Sequence, residues 1–156
     1  MKLRKVQIFG IIVTALFLSF AAVTNTQWGT ASAVQSITQL ATLKQLAQSA
    51  TPYETALSNG KSTLIEFYAN WCTTCQAMAP TLDQLHEEYN DRINFVMLNV
   101  DQPQWAGQVK QYQVTGVPHW VVLNSYQDVV FTEVGKVPKQ ILEQAFDHAA
   151  LDFHGK

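Results

Sequence analysis

Apolar and polar positions divide the chain into stretches of different period. From Val6 to Val23 the residues are almost all apolar, and no charge occurs between Lys5 and Lys44. As a helix this run spans about 27 Å, close to the thickness of a hydrocarbon core. Thr24 to Gln35 is rich in Thr, Ser, Ala and Asn, the composition of a flexible spacer. Ser36-Ile37-Thr38-Gln39 has capping-box form, and Leu40, Leu43, Leu46, Ala47 and Ala50 follow at helical spacing. Pro52 opens a second short helix that Asn59-Gly60 ends.

Beyond Gly60 the period changes. Thr63 to Ala69 is apolar on both alternating faces except at Glu66, as in a central buried strand. Met78, Leu82, Leu85 and Tyr89 then mark one face of a helix with Pro80 in its interior. Ile93 to Val100 repeats the strand pattern, and Asp101 and Pro103 open a helix expected to run to about Tyr112. His119–Leu123 and Val129–Val134 flank Asn124 to Asp128 as the arms of a hairpin, with Gly135 after the second. Ile141, Leu142, Ala145, Phe146 and Ala149 place a closing amphipathic helix after Pro138. The order β-α-β-α-β-β-α, with helices in front, predicts a parallel strand pair joined to an antiparallel hairpin in one sheet.

Charge changes this picture at one end only. Lys2, Arg4 and Lys5 precede the first apolar run, so positive charge holds the N-terminus in the cytoplasm and sends the rest across the membrane. The run is an uncleaved signal anchor over residues 1–23, or else a signal peptide cut near Ala31-Ser32-Ala33. A spacer over 24–35 and a globular domain over 36–156 complete the expected organisation. Without those three basic residues, seven Lys and Arg stand against twelve acids. That balance argues against a nucleic-acid surface.

The chemistry concentrates at Cys72 and Cys75, the only two cysteines. Two residues apart, they can close a small disulfide ring and open it with little backbone movement. Cys72 falls where a strand ends and a helix begins, where free N–H groups and the helix dipole stabilise a thiolate. Cys75 lies one turn further in, as a resolving thiol should. A purely structural disulfide over so short a loop would stabilise little. Zinc or copper would need partners, and the histidines at 86, 119, 148 and 154 show no ligand spacing. Neither a metal nor a cofactor is expected.

Glu66 to Cys75, with Pro80, Val117-Pro118 and Gly135, resembles the thioredoxin family in the expected order. The resemblance implies a thioredoxin-like three-layer α/β sandwich around a central mixed sheet, preceded here by the N-terminal membrane segment. It implies a redox-active Cys72–Cys75 disulfide and a cis Val117-Pro118 peptide that guides extended substrate beside Trp71 and His119. It also implies that Glu66 stands where the family has a buried Asp that takes the proton of the resolving thiol. The alternative is a glutamate turned to solvent at a strand edge. The family's usual lysine partner is replaced by Met97. Thr73-Thr74 differs from the dipeptides of both thioredoxins and strong oxidants, so the potential stays open. His119 and Trp120 either tune the thiols or pack within the strand.

The anchor together with Ala69 to Pro80, Asn94 to Asp101 and Val117-Pro118-His119 resembles the membrane-tethered, TxlA-like proteins of cyanobacteria and chloroplasts. That resemblance implies a thiol–disulfide reductase facing the thylakoid lumen or periplasm. Its substrates would be disulfides of apocytochromes or photosynthetic assembly partners, and its electrons would come from a polytopic CcdA-type carrier. An oxidase or isomerase of the same fold, and a binding module with dispensable cysteines, are the alternative readings.

Overall fold

The computed structural model describes residues 28–151, with side chains for 33–150. The apolar run and the anchor placed on it lie outside the described residues. Among the described residues no helix is long and apolar enough to cross a membrane. Helix α1 covers Trp28–Ser49, so it starts well before the expected cap at Ser36. Residues 28–35, expected as spacer, are helical, and Ser36 is an interior helix residue. Ala31 and Ala33 favour helix, no proline interrupts, and hydroxyls inside a helix can bond back to the preceding turn. Thr42 Oγ1 does so, donating to Thr38 O at 3.1 Å. The globular unit begins at Thr38.

Within that unit, α2 (Tyr53–Ser58) is followed by β1 (Ser62–Tyr68), α3 (Thr73–Tyr89) and β2 (Ile93–Asn99). A 3₁₀ turn at Pro103–Trp105 leads into α4 (Ala106–Gln111), then β3 (His119–Leu123), β4 (Val129–Val134) and α5 (Lys139–Leu151). The strand order is β2-β1-β3-β4. β1 pairs parallel with β2 and antiparallel with β3, and β3 pairs antiparallel with β4. This is the mixed sheet expected of a βαβ unit extended by a hairpin.

Side-chain alternation on the strands makes two cores. Leu64 and Tyr68 of β1, Phe95 of β2 and Trp120 and Val122 of β3 pack under α3 and α5 with Met78, Leu82, Leu85, Leu142 and Phe146. Leu43 and Leu46 of α1 join them. Ile65, Phe67, Val96, Leu98, Val121 and Leu123 face the other way, against Tyr53 and Ala56 of α2 and half-buried Val109 of α4 with its flanking Trp105 and Tyr112. Fully burying one such side chain contributes about 1.5–3 kcal/mol, so both layers are held by burial.

Polar ties then fix the layers in position. Buried Asn94 donates to Ala56 O at 3.1 Å and accepts from Asn59 Nδ2 at 2.8 Å, locking the end of α2 to β2. Ser62 Oγ donates to Ala149 O at 3.2 Å, joining the start of β1 to α5. Because β1 and β2 are parallel, the loops leaving their C-terminal ends open on one edge of the sheet, where such folds place chemistry.

Candidate active site

β1 ends at Tyr68, and the chain turns through Ala69–Trp71 into α3. Cys72 N donates to Ala69 O at 3.1 Å and closes that turn. Cys72 is the N-cap of α3, and its Sγ accepts from Cys75 N at 3.0 Å. This bond satisfies one of the open N–H groups of the helix start and would stabilise a thiolate once the bridge opens. Cys72 and Cys75 are joined by a disulfide. Cys75 is wholly buried and Cys72 nearly so, both within the core under α3.

Opposite them, the Val117-Pro118 peptide is cis. The carbonyl oxygen of Val117 lies 3.5 Å from Cys72 Sγ, within reach of a reduced thiol. The peptide is tied down from behind, since Gly135 N donates to Pro118 O at 2.8 Å. Trp120 Nε1 donates to Gly135 O at 2.8 Å. Gly135 has φ +91°, which only glycine adopts freely, so this turn after β4 holds the segment facing the cysteines.

Trp71 is 66% exposed and stands beside the cysteines. Its indole N–H reaches the Asp101 carboxylate, 3.1 Å from Oδ2 and 3.3 Å from Oδ1. With Val100, Val109, Val114, Gly116 and Val117 it lines an almost wholly apolar groove of about 210 Å³. The sequence pattern places Asp101 at the opening of a helix and the end of the family-like segment, not at the site. Its place just beyond the C-terminal end of a strand parallel to β1 was the available signal.

Glu66 is 1% exposed, so the solvent-facing alternative is excluded. It lies in register with Met97 on β2 and Trp120 on β3, on the face that carries Tyr68 and the cysteine helix. Neither carboxylate oxygen has a hydrogen-bond partner. Burial, with no compensating charge, pushes its pKa well above the usual carboxylate value.

His119 is not with these groups. β-alternation turns it to the opposite face, where its ring meets Phe67 edge-on at 5.9 Å and Nε2 lies 3.1 Å from Thr132 Oγ1. It lines a separate cavity with Gln111, Tyr112 and Thr132. A position next to the thiols, expected as one role for this ring, is therefore corrected. Burial lowers its pKa and favours the neutral ring. Trp120 does share the cysteine face, fully buried as a packing residue. The structure thus brings Trp71, Cys72, Cys75 and the Val117-Pro118 peptide together, with Glu66 beneath, and leaves His119 out. Among the described residues no group of His, Cys, Asp and Glu could hold a metal.

Comparison with known proteins agrees with this geometry. The thioredoxin family profile, described as Thioredoxin, matches residues 42–148. A Synechocystis sp. protein named thiol:disulfide interchange protein TxlA homolog is 47% identical over 70% of this chain and 61% of its own length. The TxlA protein of Synechococcus elongatus is 39% identical over 88% of this chain and 68% of its own. The chloroplastic thioredoxin-like protein HCF164 of rice is 48% identical over 63% of this chain, but the match spans only 37% of that protein. Oxidised mitochondrial thioredoxin 3 of Saccharomyces cerevisiae superposes with a TM-score of 0.51 at 26% identity, covering 59% of this chain and 82% of that one.

Proposed function

This chain belongs to the thioredoxin family, and we propose that it is a membrane-tethered thiol–disulfide oxidoreductase that reduces disulfides of extracytoplasmic proteins. The observation that carries the reading is Cys72 at the start of α3. Its sulfur is bonded by the Cys75 amide and lies 3.5 Å from the Val117 carbonyl, beside an apolar groove. The names of the cyanobacterial relatives, thiol:disulfide interchange proteins, support the reaction class.

In the reducing direction the Cys72 thiolate attacks one sulfur of a substrate disulfide. A mixed disulfide forms, and the other substrate sulfur leaves as a thiolate that takes a proton from water. Glu66 accepts the proton of Cys75, whose sulfur then attacks Cys72 Sγ. The Cys72–Cys75 bond forms, and the second substrate thiolate departs. Raising the Glu66 pKa brings its proton affinity closer to that of a thiol, which suits this transfer. The groove between Trp71 and Val117 receives the substrate segment. Two electrons pass to the substrate, and the oxidised pair must be reduced again by a dithiol donor.

Tethering rests on the apolar run from Val6 to Val23 behind Lys2, Arg4 and Lys5, which sends the domain out of the cytoplasm. That run contains no cysteine, so the chain cannot itself relay electrons across a membrane. A polytopic carrier of the CcdA type is the proposed donor. Proteins of the thylakoid lumen or periplasm, apocytochromes and photosynthetic assembly partners among them, are the proposed substrates.

The test is the full chain with Cys75→Ser, expressed in a cyanobacterial host and isolated under thiol-blocking conditions. Lumenal or periplasmic proteins are expected joined to Cys72 and released by reductant. Absence of any such adduct, with the variant present at normal level, would overturn the reading. Asp101→Ala should free the Trp71 indole and raise KM for a protein disulfide about fivefold, as loss of about 1 kcal/mol does, with kcat unchanged. Steady-state kinetics at two pH values would check that split.

A further inference from the structure

A base that takes a proton from Cys75 in every turnover must also release it, yet Glu66 is sealed from water. The side chains facing it are Met97 from β2 and Trp120 from β3, whose indole N–H is committed to Gly135 O. At the start of α3 the buried groups in this core are the two cysteines, while half-buried Tyr89 packs against the same core and His86 meets its Phe95 at the far end of the helix. Tyr68, two positions along the same face of β1, brings a hydroxyl to this apolar environment. Tyr68 and Met97 both line a cavity of about 350 Å³ between the end of α1, the start of α2 and β2, with Gln102 and Glu54 also in its wall. That volume admits several waters at about 30 Å³ each.

We propose that Tyr68 and this cavity are the proton exit for Glu66, with the tyrosine hydroxyl linking the carboxyl to cavity water. The inference rests on the reading of Glu66 as the base for Cys75. Burial favours the acid at rest, so before Glu66 can take the Cys75 proton it gives its own through a bridging water to Tyr68 Oη, while the hydroxyl passes its own proton to cavity water. Glu66 becomes carboxylate, Tyr68 is unchanged, and one proton reaches solvent. The field of Glu66 already acts on Tyr68, raising the phenol pKa beyond the effect of burial alone. Met97, where the family carries a lysine, leaves the hydroxyl as the polar neighbour available for this step.

The experiment follows a single turnover of the reduced full chain in detergent with a peptide disulfide, quenched in acid and resolved by mass. Formation of the mixed disulfide reports attack by Cys72, and its decay reports resolution by Cys75. Tyr68→Phe is expected to slow the decay about tenfold and enlarge its solvent deuterium isotope effect, leaving formation unchanged. Met97→Phe, which fills the cavity, should do the same. Neither change should slow decay further in a Glu66→Gln background. Decay at the wild-type rate in both single variants, with Glu66→Gln slow, overturns the proton exit and leaves the base in place. Equal slowing in the Glu66→Gln background overturns it as well, because the effect would then be structural. Wild-type decay in Glu66→Gln removes the base, and the exit with it.

Discussion

Cys72→Ser is expected to lower disulfide interchange by roughly three orders of magnitude or more, since an alcohol in place of a thiolate removes the nucleophile itself. Cys75→Ser should lose turnover to a similar extent but fail at a different step. Its Cys72 still lies at the start of α3 beside the Val117 carbonyl, so the first attack proceeds. About one equivalent of mixed disulfide then accumulates per chain, because no second thiol displaces the product. Cys72→Ser should accumulate none. The asymmetry follows from the fold, in which Cys75 is wholly buried within the first turn of α3. Burst and steady-state measurements on the two purified variants would decide it. Equal trapping by both, or full turnover by either, is incompatible with the assigned roles.

Glu66→Gln is expected to change how stability depends on pH. The folded pKa of Glu66 is raised above its unfolded value. Below the unfolded pKa both states hold the proton and Glu66 adds no pH dependence. As pH rises through that value the unfolded chain ionises while the folded chain keeps its proton. Stability then falls by about 1.4 kcal/mol per pH unit until the folded pKa is reached. Glutamine does not titrate, so the variant should lack this slope, whatever fixed offset the buried amide adds. Urea midpoints of the oxidised proteins from pH 4 to 8 should therefore shift increasingly in the variant's favour. His119 acts oppositely. Its lowered folded pKa costs stability as pH falls below the unfolded value, and comparison of variant with wild type cancels that contribution. Parallel pH curves would place the Glu66 carboxyl in contact with water.

Much of the framework was legible because it depends on local period and spacing. β3 and β4 occupy the residues expected from their alternation, β1 starts and ends one residue earlier than expected, and β2 ends one residue earlier. The proline inside α3 did not hide the helix, since Met78, Leu82 and Leu85 keep one apolar face. At the N-terminal side the capping-box pattern misled. A Ser-x-x-Gln sequence has the same form inside a helix as at its start, and only the surrounding chain decides between them. Asn94 looked like part of a family signature, and the structure gives it a physical task in clamping the end of α2 to β2.

His119 and Trp120 show what local pattern could not settle. They are neighbours in one strand, and one step of alternation sends them to opposite faces of the sheet. Which face lies under the cysteine helix is set by the pairing of β3 with β1, a contact between distant parts of the chain. That pairing and the pairing of β1 with β2 enclose Glu66 between Trp120 and Met97, which is why this glutamate is buried rather than turned to solvent. Asp101 beneath the Trp71 indole and Gly135 behind Pro118 are likewise products of tertiary approach. By itself the sequence determined the strand–helix junction that carries Cys72-Thr73-Thr74-Cys75, because a nucleophile at a helix start needs only local order. Tertiary structure decided what surrounds that pair, because burial and facing come from register between strands far apart in sequence.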